Sequence, residues 1–280
     1  MTDRGVVYCA MGYTVYLEAA LTSALILRRL EPKIPITLIS NHPSLKYLAL
    51  SEYKITPRFV EPTEWMEHNS FSSRHIKTSL PIFSPYNETL FLDADILPLK
   101  PISHLWEYLD SGDMCMAADR LSTLGTCNHV SQAEKSYTLE FIPENITHFN
   151  SGVILWRNNI QTRLLFELWH QEWLKFQQQD QLALIRAINR TQFPIKILPC
   201  TYNISPIDAV SRVQNQSVKL LSQTHNMCQL QAASMLSQEN DIYLLHCWGG
   251  ILVSGKFQQI AQKFYPDIIE QLVTTQLFAS

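Results

Sequence analysis

Residues 89–98, Thr-Leu-Phe-Leu-Asp-Ala-Asp-Ile-Leu-Pro, constrain the fold of this chain more than any other stretch. A short apolar run without polar alternation reads as a strand covered on both faces, the kind found in largely parallel α/β sheets. Pro98, with Pro101 close behind, stops the run from continuing as a central strand. Asp93 and Asp95 therefore stand at the carboxyl end of the strand, the edge where open α/β sheets bind ligands. Aspartates two residues apart point the same way on an extended backbone, or are swung together by a turn. Held together they repel unless a proton or cation joins them, and a hard divalent ion with oxygen ligands does this. Taken alone, the triplet reads more readily as a capping Asp93 beside a solvated Asp95.

The flanking pattern supports the ligand reading. Residues 5–10, 36–40 and 55–60 read as strands, and 13–30 and 44–51 as helices. The longer helix keeps Leu17, Ala20, Leu21, Ala24, Leu25 and Leu27 at helical spacing. This alternation is a nucleotide-binding type of α/β opening. The chain has no Gly-x-Gly-x-x-Gly and no Gly-Lys-Ser/Thr, so dinucleotide and P-loop readings lose their main support. Residues 65–70 read as a polar loop, and 71–83 as a helix with Arg74 and Lys77 on one face. Beyond the aspartates come a short helix at 102–109 and a buried strand at 114–118 that ends at Asp119. Residues 121–147 read as an irregular polar loop. A second informative strand, 149–156, carries Asn150-Ser151-Gly152. Helices at 162–176 and 180–188, a strand at 195–199, a loop or lid at 206–240, a strand at 242–246 and a helix from 257 complete the pattern. No linker or internal repeat divides it, so a single domain over residues 1–280 is expected.

Composition excludes other classes. The net charge of -3, without a basic tract, argues against a nucleic-acid groove or a polybasic membrane anchor. No apolar run reaches the length of a membrane span. The opening Met1-Thr2-Asp3-Arg4 shows no signal-peptide pattern, and a reducing cytoplasm is the expected location. Cys9, Cys115, Cys127, Cys200, Cys228 and Cys247 are widely spaced and read as buried free thiols rather than zinc ligands or disulfides. Asn-x-Ser/Thr sequons at Asn87, Asn145, Asn189, Asn203 and Asn215 are read as ordinary residue usage.

Taken in order, Phe91-Leu92-Asp93-Ala94-Asp95, Phe149-Asn150-Ser151-Gly152-Val153, Asp180-Gln181, Leu198-Pro199 with Tyr202-Asn203, and His246 with Gly249 resemble glycosyltransferase family 8. This is the glycogenin and bacterial lipooligosaccharide galactosyltransferase group. The resemblance runs through nearly the whole chain and implies a GT-A fold, a Rossmann-like, mixed and mostly parallel sheet flanked by helices. It implies transfer of a sugar from a nucleotide-diphosphate sugar, a UDP-sugar by likeness, to an acceptor hydroxyl with retention, using Mn2+ or Mg2+. A cation on the diphosphate stabilises the charge of the leaving group.

By the same resemblance Asp93, Asp95 and His246 are metal ligands; a core histidine is the other reading of His246. The donor site would comprise Tyr13, Arg74, Lys77, Asp93, Ala94, Asp95, Asp119, Asn150, Ser151, Gly249 and Lys256. Tyr13 reads either as a stacking platform for the nucleobase or as core. Asn150 can donate and accept beside two small residues. Gln181, Asp180 and Asn150 would face the reacting centre, although Asp180 also reads as a helix cap. Lys256 stands farther from His246 than the family pattern has its lysine, and Phe257-Gln258 replaces the expected Pro-Trp. The acceptor, a glycan, small molecule or protein, would dock at 121–147 and 206–240. A catalytically silent sugar-nucleotide or glycan-binding module and a nucleotidyltransferase are the competing functions. The second of these lacks a basic, Gly-rich loop after the first strand.

Overall fold

The structure, a computed structural model, describes residues 2–64, 71–212, 217–220 and 241–274. Its first strand, β1 (Thr2–Ala10), leads into α1 (Thr14–Leu30), β2 (Ile36–Ser40) and β3 (Ile55–Phe59). Then come α2 (Ser72–Lys77), α3 (Leu80–Phe83), β4 (Tyr86–Asp93), β5 (Ile96–Pro98) and β6 (Met114–Thr123). The following elements are α4 (Gln132–Leu139), β7 (Thr147–Arg157), α5 (Ile160–Leu174), α6 (Gln181–Thr191) and β8 (Lys196–Leu198). Two short strands, β9 (Ala209–Arg212) and β10 (Ser217–Leu220), precede β11 (Leu244–His246), α7 (Gly250–Val253), α8 (Lys256–Phe264) and α9 (Pro266–Thr274).

Seven strands form one sheet in the order β3-β2-β1-β4-β7-β6-β8. Only β7 runs against its neighbours, pairing antiparallel with both β4 and β6. The unbroken apolar runs have the expected cause, because both faces of the sheet are covered. Val6, Tyr8, Leu90 and Leu92 face a core shared with α1 and α8, whereas Val7, Cys9, Phe91 and Ile154 face one shared with α5 and α6. Alternate residues thus enter opposite cores, following the period of the strand.

The central strand ends ahead of Pro98. Past Asp93 the chain turns through Ala94-Asp95 and leaves the main sheet. β5 then pairs antiparallel with β11, with Ile96 opposite His246 and Pro98 opposite Leu244. That ladder joins residues about 150 positions apart in sequence.

Several local expectations are corrected. Residues 44–51 form no α-helix; two 3-10 turns, Pro43–Lys46 and Leu50–Tyr53, lie there instead. The helix expected over 71–83 is broken at Thr78-Ser79. Pro81 has no N–H to return to the Lys77 carbonyl, so the first helix ends and a new turn starts. Residues 102–109 fall within a 3-10 segment, Ser103–Ser111. The stretch 121–147 is more ordered than its composition suggests: β6 extends to Thr123, and α4 lies within it.

Ser131 caps α4, its hydroxyl accepting from the Glu134 N–H at 3.1 Å. The Glu134 side chain does not complete the capping box. It is buried against Arg186 of α6 at 2.9 Å, and Arg186 also bonds Glu172 (2.9 Å) and Thr138 (2.7 Å). This buried network seats α4 on α5 and α6. Cys9, Cys115, Cys127 and Cys247 are buried free thiols, and Cys200 is buried. The polar loop at 65–70, most of the lid at 206–240, Cys228 and Asn215 lie outside the described residues. No described helix is long and apolar enough to cross a membrane.

Candidate active site

The carboxyl ends of β1, β4 and β6 and the N-terminal half of β7 open onto a cleft of about 1020 Å³. Tyr13, Arg74, Lys77, Asp93, Ala94, Asp95, Asp119, Asn150, Ser151, Asp180, Gln181, His246 and Gly249 all line it. Lys256 does not. It is exposed at the start of α8, behind the left-handed Gly255 (φ 75°).

At the base of the cleft, Asp93, Asp95 and His246 each offer a donor atom, and the three atoms lie within 4.8 Å of one another. The turn after β4 supplies the two carboxylates, and the β5–β11 ladder supplies the imidazole. The Cys247 N–H bonds the Asp95 carbonyl at 2.9 Å, which fixes that register. His246 Nδ1 lies 2.9 Å from Asn203 Oδ1, and the Asn203 amide nitrogen donates to Asn150 Oδ1 at 2.9 Å. The second bond orients the Asn203 amide, so its oxygen accepts from His246 Nδ1–H. His246 Nε2 thereby faces Asp95 at 3.3 Å. An imidazole that donates its other N–H to an amide oxygen is oriented as metal-bound histidines are. Two carboxylates and one imidazole suit Mn2+ or Mg2+ more than a thiophilic metal. The residues therefore fit the ion that the sequence reading requires.

Gly152 is what lets the ring sit there. A Cβ at this position would lie 2.4 Å from His246 Cε1 and 3.0 Å from Asn150 Oδ1. At Gly152 the missing side chain thus makes room for the histidine. Gly249, at φ 57°, occupies the left-handed region just before α7, where a side chain would be strained.

Charge in the cleft is balanced by cations. Lys77, nearly fully buried, holds both oxygens of Asp93, at 2.7 and 2.8 Å. Burial pushes the Asp95 carboxyl up, but the His246 charge and hydrogen bond, with Lys77, outweigh it and hold the group below the usual range. Burial pushes His246 down, and Asp95 more than reverses this, raising it. Asp180 immediately precedes α6 but its side chain caps nothing. Instead its buried carboxylate faces the Arg74 Nε at 4.0 Å, and Lys77, Arg74 and Ser151 hold it low against the upward push of burial. Its Oδ2 has no hydrogen-bond partner among the described residues.

The opposite wall is a hydrogen-bonded polar surface. Asp119 Oδ2 accepts from Asn150 Nδ2 (2.9 Å) and Gln181 Nε2 (3.2 Å), while its Oδ1 accepts from the Leu121 N–H (2.9 Å). Tyr13, 72% exposed at the cleft mouth, is no core residue. The sequence reading gave no site role to four neighbours. Asn41 receives the Gly12 N–H at 2.8 Å, His129 bonds Gln181 at 2.6 Å, Asn203 orients His246, and Trp248 lines the mouth. Asn203 stood in the Tyr202-Asn203 motif, Asn41 lies just past a strand's carboxyl end and Trp248 between His246 and Gly249; His129 had no local signal.

A sheet of this order, with an acidic turn after the fourth strand and a histidine brought back by the last, is that of a GT-A sugar transferase. The fold resembles the galactosyltransferase LgtC, solved in complex with donor and acceptor sugar analogues (TM-score 0.59, 14% identity, covering 93% of this chain and 96% of that one). It also resembles mouse xyloside xylosyltransferase 1 (0.53, 14%, 89% and 98%) and GlyE of Streptococcus pneumoniae TIGR4 (0.55, 16%, 98% and 64%). No curated protein matches the chain significantly in sequence. The model of glycosyl transferase family 8 matches residues 51–210, more than half of the chain, which therefore belongs to that family and is a glycosyltransferase.

Proposed function

We propose that residues 1–280 form one GT-A domain, acting in the cytoplasm, that moves a hexosyl group from a UDP-sugar to an acceptor hydroxyl with retention. A divalent ion, manganese or magnesium, would be held by Asp93, Asp95 and His246. The observation that carries the reading is the convergence of those three donor atoms within 4.8 Å at the base of the cleft. When bound, such an ion neutralises charge on the leaving diphosphate.

The chain's own residues supply the rest. Lys77 and Arg74 set positive charge beside the aspartates, where a diphosphate gains most from it. Exposed Tyr13, on the β1 side, offers a ring face to the nucleobase. Asp119, Asn150 and Gln181 present a polar wall whose bonds to one another can be exchanged for bonds to sugar hydroxyls. Asp180, kept anionic and with one oxygen unpartnered, can accept from a hydroxyl or stabilise developing positive charge. Under retention, the departing phosphate takes the acceptor proton on the same face.

Calorimetric titration of a sugar-nucleotide panel, with manganese, magnesium or chelator, tests this. One donor should bind only with metal, and Asp93→Asn or Asp95→Asn should abolish both binding and transfer while leaving the circular dichroism unchanged. Equal donor binding in chelator, or full activity in both variants, would refute the assignment.

A further inference from the structure

The second cluster of metal-ligating side chains among the described residues lies beside the Asp119–Gln181 wall. Cys127 and His129 come from the loop after β6 and His148 from β7. One donor atom from each lies within 4.8 Å of the others. His148 is fully buried, and its Nδ1 lies 2.9 Å from the Leu121 carbonyl oxygen. A carbonyl only accepts, so Nδ1 carries the proton and Nε2 keeps its lone pair. That Nε2 has no hydrogen-bond partner among the described residues, although buried polar atoms ordinarily have one.

His129 shows the same design. Gln181 Nε2 donates to Asp119, which turns Gln181 Oε1 toward His129 Nε2 at 2.6 Å. His129 Nε2 therefore carries the proton, and Nδ1 is left with the lone pair. Each imidazole donates one N–H to a carbonyl oxygen and keeps a lone pair on its other nitrogen, as metal-bound histidines do. Cys127 is buried, and the backbone N–H of His129 points at its sulfur.

We propose that Cys127, His129 and His148 form a binding site for a thiophilic divalent ion of the zinc class, distinct from the Asp93–Asp95–His246 centre. One sulfur and two imidazole nitrogens select Zn2+ or Co2+ over Mg2+ or Mn2+, and three protein ligands leave a fourth position open. His129 is exposed and lines the cleft, which gives the ion a way in. Binding expels the Cys127 thiol proton to solvent and forms the metal–sulfur bond. Cys127 is thus a ligand, where the sequence suggested only an inert thiol. The ion ties the loop after β6 to β7. Through the His129–Gln181 bond it also holds the Gln181 amide with its NH2 toward Asp119.

The test uses the full chain, stripped with chelator and titrated with Co2+ alone. One equivalent should give a near-ultraviolet sulfur-to-cobalt band and visible bands of tetrahedral type, and Zn2+ should displace them. The bands should persist in Asp95→Asn and vanish in Cys127→Ser. Zn2+ affinity should fall by at least about 100-fold in Cys127→Ser, beyond the roughly 10–100-fold of lost outer contacts. Cys127→Ser replaces one atom and is the variant on which the result rests. His148→Gln should repeat the loss wherever its circular dichroism matches the parent. The site is refuted if no sulfur-to-cobalt band forms, if the band survives Cys127→Ser, or if Asp95→Asn removes it. Donor binding enters none of these readouts, so failure here is separable from failure of the donor-site proposal.

Discussion

Gly152→Ala is the most direct test of how the proposed metal centre is built. The new methyl would lie 2.4 Å from His246 Cε1 and 2.8 Å from its Nδ1. Carbon atoms rest at about 3.5–4.0 Å, so one partner must retreat by about 1 Å. The methyl cannot, because it stands on a strand paired to both β4 and β6. The ring is no flexible tip either, being 5% exposed and tied to Asn203 and Asp95. His246 must therefore move, away from the atoms it is proposed to share an ion with. Overpacking of this kind costs about 1–3 kcal/mol of stability. A displacement of about 1 Å at a reacting centre costs about 100-fold in rate.

The assay pairs chemical denaturation with manganese titration and transfer rate, for Gly152→Ala, His246→Ala and the double variant. The single alanine at 152 should be destabilised, with manganese affinity and rate both about 100-fold down. The double variant should regain the stability, since the ring is gone, but not the affinity; contacting residues are not additive in this way. Manganese affinity and turnover within two-fold of the parent, or a double variant destabilised by the full sum of the singles, would refute the reasoning.

Two further predictions concern buried charge. Arg186→Ala should cost about 3–5 kcal/mol in urea denaturation, because it strands Glu134 and Glu172 without their shared cation. Burial pushes both carboxyls up, and only at Glu172 do Lys175, Arg190 and Arg186 outweigh it; a loss below about 1 kcal/mol would show the network to be incidental. The Asp95–His246 pair gives chelated protein a bell-shaped stability. Asp95, with its folded value depressed, contributes above its unfolded value of about 3.9 and loses that as pH falls through the folded value. His246, with its folded value raised, contributes below about 6.5 and loses that as pH rises through the folded value. Thermal melts with chelator should therefore fall on the alkaline side, while manganese affinity rises there because the ligand must be neutral. His246→Gln should flatten both curves, and parallel rather than opposed slopes in the parent would contradict the shared role.

What could be read along the chain was whatever depends on neighbours in sequence. The β4 run, its aspartates and the proline just beyond them are one local pattern, and the structure puts the cleft there. Misreadings arose where a local rule had a competitor. Pro81 cuts a helix that apolar spacing alone would continue. Ser131, three residues before Glu134, carried a helix-start signal that the polar composition of 121–147 concealed.

The sequence by itself determined that this is a parallel-rich α/β chain with an acidic edge, because the strand period and the burial of both faces are written into each segment. Only the tertiary structure decided which distant residues complete that edge. The β5–β11 ladder delivers His246 to Asp95, Gly152 clears the space for its ring, and Asn203 sets its tautomer. It also brought Cys127 and His129 to His148, a grouping that no spacing announced. Long-range pairing fixes such positions to fractions of an ångström, and metal coordination and hydrogen bonding, which fall off steeply with distance and angle, respond to nothing coarser.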